Sequence, residues 1–418
     1  MYDEENTGEK SAAVCQARDI KGIADICVLV KRYAEPVREG FCSRYAIICA
    51  AGGGRTEGEM RERWTREQAW EWYEKRPWVM GINYVPAITL HSTELWQEDL
   101  HETVMQSVRE EFKLMERVGL NGVRMFLPFS VWYYDRERFL DRVENFLEAL
   151  DARKITMMPV IFNDCLNFGR PENIVPEKPQ GWQKYDIGHH GGAIANPFTG
   201  EKNLKGWCLW DEPEWHADLE AYLTALIQRF GRDERIYAWD LWNEPGNSNR
   251  YEMSIPYLKR VFELARSLDV TQPLTAGVWR YPEDYGVNPD ADVDAIGRVA
   301  LDESDIVTFH QYENIERVKR VVEQLKKEGR PMMNTEWLNR ILGNHMKDNL
   351  PLYHDEKIGS YSWGLVAGKS QHFLPWDDLR PNKDLPLHLW QHDLFDTYHT
   401  PYDVSELELM EKLSPLKG

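Results

Sequence analysis

Residues Ile236 to Gly246 read IYAWDLWNEPG. The run Ile236–Leu241 is short, aromatic and β-branched, the composition of a strand buried on both faces. It stops at Asn243-Glu244, and Pro245-Gly246 breaks the chain immediately afterwards. A polar amide and a carboxylate therefore stand together at the C-terminal end of a buried strand. A second stretch, Pro331–Arg340 (PMMNTEWLNR), repeats the pattern, with an apolar strand ending in the carboxylate of Glu336. Alone, Glu244 could be a strand-end charge that caps the next helix. Paired with Glu336, it makes a different expectation.

Between and around these stretches the pattern is apolar strand followed by amphipathic helix. Val79–Val85 reads as a first strand, and a helix over about 99–119 places Val104, Val108, Phe112, Met115 and Val118 at three- and four-residue spacing. Gly119 ends it as a helix C-cap glycine does. Further strands read at Gly122–Leu127, Thr156–Phe162, Pro273–Val278, Ile306–Phe309 and Gly359–Leu365, with helices over about 135–152, 214–230 and 315–329 and another ending near Leu268. Eight alternations in one direction predict an α/β fold, a closed (β/α)8 barrel (a TIM barrel) with long loops at its C-terminal face, rather than a doubly wound open sheet. In such a barrel the C-terminal strand ends carry the catalytic groups. Two carboxyl groups at one barrel mouth are equipment for splitting a glycosidic bond.

The chain has 418 residues, enough for such a barrel with insertions, and a formal net charge of -19, which argues against nucleic acid or an anionic membrane as partner. No window reaches the ~18 apolar residues needed to span a bilayer. The acidic start Met1–Glu9 lacks the basic and apolar regions of a secretory signal. The 6 Cys show no metal-type or redox spacing, so a cytoplasmic location with reduced thiols is expected. Residues 1–59 carry Cys15, Cys27, Cys42 and Cys49 and read as an appendage to a catalytic domain spanning 60–418. They could be an upstream extension of the reading frame with the true start near Met60; an intact Met1 terminus on the natural protein rejects that. Thr65 with Gln68 predicts a capped helix at the start of the ordered part. A polar, Gly- and Pro-rich loop over about 166–210 contains His189-His190-Gly191-Gly192. Exposed loop histidines are the commoner explanation of that pair, and no metal is assigned. Trp and Tyr number 17 and 19, and many follow predicted strands, where flat rings suit the faces of sugars.

The strand ends together offer Arg124 in the second strand, Asn243-Glu244-Pro245 after the fourth, His310-Gln311-Tyr312 after the sixth, Glu336 on the seventh and Trp363 on the eighth. A cation inside an apolar strand needs a partner, and Glu336 is the candidate for Arg124. In this order the residues resemble the clan A glycoside hydrolases, and most of all glycoside hydrolase family five, the cellulase and mannanase family. The resemblance covers about residues 78–365. It implies a retaining double displacement without cofactor, with Glu244 as general acid/base and Glu336 as nucleophile. It further implies that Arg124 and Tyr312 hold Glu336, that Asn243 binds the sugar 2-hydroxyl, and that Trp363 floors the −1 subsite. Structural alternatives stay open: Trp363 as packing, His310 as a core histidine and Arg124 as a purely structural pair. The sequence departs from the family at the third strand, where Asn163-Asp164 stands in place of a common His. Asp164 is a sugar ligand or a turn residue.

The long loop after the third strand and the run Gly368–His372 after the eighth are placed to close one end of the cleft. The expectation is therefore an exo-acting β-glycosidase for short oligosaccharides, with β-mannosides first. The alternatives are an endo-β-1,4-glucanase or xylanase with an open groove, and a sugar-binding barrel without catalysis.

Overall fold

The computed structural model describes residues 60–165, 177–192, 205–281, 293–376, 379 and 388–416. The expected appendage at 1–59 and much of the loop over 166–210 lie outside these residues. Eight strands form one parallel sheet: β1 Met80–Asn83, β2 Gly122–Phe126, β3 Thr156–Asn163, β4 Trp239–Asn243, β5 Leu274–Ala276, β6 Val307–His310, β7 Met332–Trp337 and β8 Gly359–Trp363. They are hydrogen-bonded in the order β5-β4-β3-β2-β1-β8-β7-β6. The ring closes between β5 and β6 by a bridge from Val278 to Phe309, where Val278 N donates to Thr308 O and His310 N donates to Val278 O. The (β/α)8 barrel expected from the sequence is the observed fold.

Helices α1 Arg66–Glu74, α2 Ser92–Trp96, α3 His101–Val118, α4 Phe129–Tyr134, α5 Arg136–Asp151, α6 His216–Phe230, α7 Ile255–Ser267, α8 Ala295–Glu303, α9 Ile315–Leu325, α10 Met346–Asp355 and α11 Val404–Leu413 accompany it. The stripe of α3 is buried as its spacing predicts, and Gly119 closes that helix in the left-handed region at φ 82°. Thr65 and Gln68 form the expected capping box on α1. No helix among the described residues is long and apolar enough to cross a membrane.

Strand limits move by a few residues. β4 begins at Trp239 rather than Ile236, because Ile236 makes only a single bridge to Met157. It runs on through Asn243, with Trp239, Leu241 and Trp242 all buried in the main core. Helices α2, α4, α8, α10 and α11 are additions to the sequence reading; α10 carries Pro351 inside it, a residue that argues against a helix interior.

Helix α1 lies across the N-terminal end of the barrel. Its Ala69 and Tyr73 join Val79, Met158, Tyr237, Ala238, Ile306, Met333 and Tyr361 in a separate apolar cluster, bordered by Trp64, Trp70 and Trp72. Gly81 is required there, because a Cβ would run into the Tyr361 ring. The opposite end is irregular. Pairing slips between Asp240 and Trp242, between Phe309 and His310, and between Asn334 and Trp337. An inserted residue re-aims its neighbours, and these irregularities flank the ends of β4, β6 and β7, where the polar residues gather.

Candidate active site

Arg124 organises the C-terminal face. It is fully buried on β2, so every donor must find an acceptor. Nη1 donates to Glu336 Oε1 at 2.6 Å and to Asn83 Oδ1 at 2.8 Å. Nε and Nη2 donate to Asp240 Oδ2 at 2.9 and 2.7 Å, and Nη2 also donates to Asn243 Oδ1 at 2.6 Å. The expected partner, Glu336, is therefore one of two, since Asp240 on β4 shares the guanidinium. Burial pulls the Arg124 pKa down, but Asp240 and Glu336 outweigh it and hold the guanidinium above its ordinary value. Asp240 lies inside the run read above as apolar, and a carboxylate buried in such a strand was itself a sign that a cation faces it.

Glu336 ends β7 with both oxygens engaged. Oε1 takes Arg124; Oε2 accepts from Tyr312 Oη at 2.6 Å and from Trp363 Nε1 at 3.0 Å. Burial pushes its carboxyl up, but His310, Arg124 and the Tyr312 and Trp363 donors together hold it below the ordinary glutamate value. The Tyr312 hydroxyl moves the other way, raised by burial and by the Glu336 charge.

Glu244 faces it from the end of β4. Its backbone sits in the left-handed region at φ 45°, a conformation that a non-glycine residue holds only when its surroundings fix it. His310 Nδ1 contacts Glu244 Oε1 at 2.8 Å and lies 3.5 Å from Glu336 Oε2, so one imidazole stands between the two carboxylates. Asn247 Nδ2 donates to Glu244 Oε2. Single ligand atoms of Glu244, His310 and Glu336 all fall within 4.8 Å of one another. The Cys165 thiol, just past β3, is hydrogen-bonded to Glu244; burial and then the Glu244 and Glu336 charges raise its pKa far above normal.

Six of the expected residues, Arg124, Asn243, Glu244, His310, Tyr312 and Glu336, thus meet in one network, and Trp363 joins it through its indole N–H. Asp164 is placed apart. It has no exposed surface. Its Oδ2 accepts from Gly246 N at 2.8 Å and from Ser254 Oγ, and Oδ1 pairs with Arg250 Nε at 3.1 Å. It fastens the loop that follows Glu244, which fits the turn-residue alternative of the sequence reading and not the direct sugar contact. The position beside it carries the link: Asn243 Nδ2 donates to Asn163 Oδ1 at 2.8 Å.

The loop histidines also differ from expectation. His189 is buried, and with His190 it packs against His372 and His392, which are buried on the segment after β8. Burial, then the proximity of other imidazoles, holds His190 and His372 well below the ordinary histidine value; burial, then His189, does the same to His392. His372 and His190 lean on the Trp363 ring at 4.9 and 6.0 Å between centroids. The two segments are tied by Gly191 N donating to Ser370 O at 2.8 Å and Gln371 Nε2 donating to Asp186 O at 2.7 Å.

The arrangement offers two carboxyl groups in unequal surroundings. One is ringed by a cation and two neutral donors and is held ionised; the other is contacted by the His310 imidazole and the Asn247 amide. Unequal pairs of this kind can divide nucleophilic and acid/base work.

No protein-family model matches the chain. No curated protein is similar to it in sequence. Among solved structures, an exo-β-1,4-mannosidase from Opitutaceae bacterium strain TAV5 superposes with a TM-score of 0.52 at 15% identity, over 87% of this chain and 62% of that one. This chain thus spans less than two thirds of that protein. An endo-β-1,4-mannanase from Thermotoga petrophila gives 0.47 at 13% identity over 81% of this chain and 76% of that one. An endo-1,4-β-mannanase from Rhizomucor miehei gives 0.47 at 14% identity, over 80% and 95%. At 15% identity the first likeness is one of fold.

Proposed function

We propose that the chain is a glycoside hydrolase that cleaves β-glycosidic bonds with retention, by double displacement on two glutamates. Glu336 attacks the anomeric carbon while Glu244 delivers its proton to the departing glycosidic oxygen. The resulting glycosyl ester on Glu336 is then hydrolysed by a water whose proton returns to Glu244. Arg124, Tyr312 and the Trp363 indole keep Glu336 ionised and aimed. Asn243 uses one amide hydrogen on Asn163, and the other serves the sugar 2-hydroxyl. The Trp363 face floors the −1 subsite.

One observation carries this reading: Glu336 is saturated by a cation and two donors while an oxygen of Glu244 lies within 4.8 Å. Retaining enzymes hold their carboxyl groups ~5 Å apart, whereas inverting ones leave ~6.5–9.5 Å for a water. The tied segments after β3 and β8 favour an exo-acting enzyme, because their histidines pack on the Trp363 ring at one side of the carboxylate pair. Short oligosaccharides ending in a β-mannoside are the first substrates to try, on the family resemblance of the sequence.

Incubation with 2,4-dinitrophenyl 2-deoxy-2-fluoro glycosides of mannose, glucose, galactose and xylose, followed by peptide mass spectrometry, tests the proposal. An adduct on Glu336 supports it, and the sugar that labels fastest names the −1 specificity. An adduct on any other residue overturns the role assignment. Cleavage of polysaccharide with no labelling by monosaccharide reagents replaces the exo reading with an endo-acting one.

A further inference from the structure

The imidazoles beside Trp363 have a feature that sugar hydrolysis does not use. One ring nitrogen from each of His189, His190 and His372 lies within 4.8 Å of the others. His372 Nε2 and His190 Nδ1 are 3.2 Å apart. Two nitrogens bound at ~2.0–2.1 Å to a tetrahedral zinc ion are ~3.3 Å apart, so this pair already has the spacing of neighbouring ligands. Two of the three rings are anchored through their other nitrogen, as metal-bound imidazoles are: His189 Nδ1 contacts the Leu374 carbonyl at 2.7 Å, and His372 Nδ1 contacts Ser370 Oγ at 3.2 Å. Such outer partners fix ring orientation and direct the opposite nitrogen to the ion. Among the described residues no carboxylate belongs to the group, which disfavours calcium or magnesium and suits ions that prefer nitrogen.

We propose that His189, His190 and His372 bind one divalent transition ion of the zinc class, joining the loop after β3 to the segment after β8. Three imidazoles leave a fourth tetrahedral position for a further ligand. His190 sits at φ 53° and is followed by Gly191 and Gly192 at φ 67° and 75°. The ion would lock the wall against which Trp363 rests. The proposal concerns binding and stands apart from the glycosidase reading.

The test uses the full chain, stripped with chelator, dialysed and titrated with Zn²⁺ by calorimetry and with Co²⁺ by absorption. The expected result is one ion per chain, with a visible cobalt spectrum of a four-coordinate site and no sulfur-to-cobalt charge-transfer band. His190→Gln and His372→Gln, made separately and checked for folding by circular dichroism, should each weaken Zn²⁺ by 100-fold or more, since loss of an outer partner alone costs about 10–100-fold. Glu336→Gln should leave the affinity unchanged. Absence of binding in the wild type overturns the proposal. So does a sulfur charge-transfer band, or affinity unmoved in both histidine variants. Loss of the ion in Glu336→Gln would place it between the carboxylates and also overturn the proposal.

Discussion

The two ends of this barrel are built on opposite principles. At the N-terminal end α1 closes the ring with aliphatic and aromatic contacts, and the hydroxyls of Tyr237 and Tyr361 are buried there without hydrogen-bond partners. At the C-terminal end Arg124 and Glu336 have every charged oxygen and nitrogen named above engaged, within a shell from five strands. Apolar contact is non-directional and tolerates an idle hydroxyl; aiming a carboxylate at a reacting atom needs fixed donors. On the proposed reading one end carries stability and the other carries chemistry, and substitutions should separate the two.

The largest separation is expected at Glu336→Gln. If Glu336 is the nucleophile proposed above, its loss costs roughly 10⁴-fold or more in kcat, while the amide still accepts from Arg124, so the thermal midpoint should stay close to wild type. Turnover by this variant within tenfold of wild type would dissolve the contrast. Asp240→Ala breaks it in another way, because it leaves Arg124 with one buried counter-charge. Loss of one partner from a buried pair costs about 3–5 kcal/mol, and chemical denaturation should register that loss along with reduced activity. At the other end Met333→Ala, a truncation in the apolar cluster, should cost about 2–5 kcal/mol with kcat per folded molecule unchanged.

A smaller effect is expected from Tyr312→Phe. Loss of one hydrogen bond to a charged group is worth about 1.5–3 kcal/mol, or roughly tenfold to a hundredfold in kcat/KM. The sign of the pH effect follows from the lowered Glu336 pKa. Its ionised form is favoured in the folded state, so its contribution is present above the unfolded value and lost as pH falls through the folded one. In the wild type the acid limb of kcat/KM should lie below the ordinary glutamate range, and in Tyr312→Phe it should move up. A limb that stays in place removes Tyr312 from the holding of Glu336. The smallest effect belongs to Tyr361→Phe, which discards a buried hydroxyl that bonds nothing and should leave both stability and activity near wild type.

Much of this division was legible in the sequence. Strand ends such as Asn243-Glu244 and Glu336 announce themselves because an apolar run stops at a polar group. The stripe of α3 and its glycine cap follow from spacing alone. Asp240 was harder, since a single acid inside an aromatic run does not shift the periodicity, although its burial demands a cation. Asp164 was open between two roles because turn acids and sugar-binding acids share a sequence context; its partners Arg250 and Ser254 are brought in by the fold. The histidine cluster could not be read at all from spacing, because His189 and His372 meet only when two loops far apart in the chain are tied together.

The closing seam between β5 and β6 has one further consequence. Every other neighbouring pair of strands is joined by a ladder of several residue pairs, whereas this one is a clasp. Thr275 and Thr308 hydroxyls touch across it at 2.7 Å, and Asp305 accepts from Leu274 N at 2.9 Å. His310, the imidazole between the carboxylates, hangs from the β6 side of that clasp through its bond to Val278. Val278 thus bears on both the closing seam and His310, so a substitution that shifts it should be felt at the ring closure and at the contact of His310 with Glu244 together.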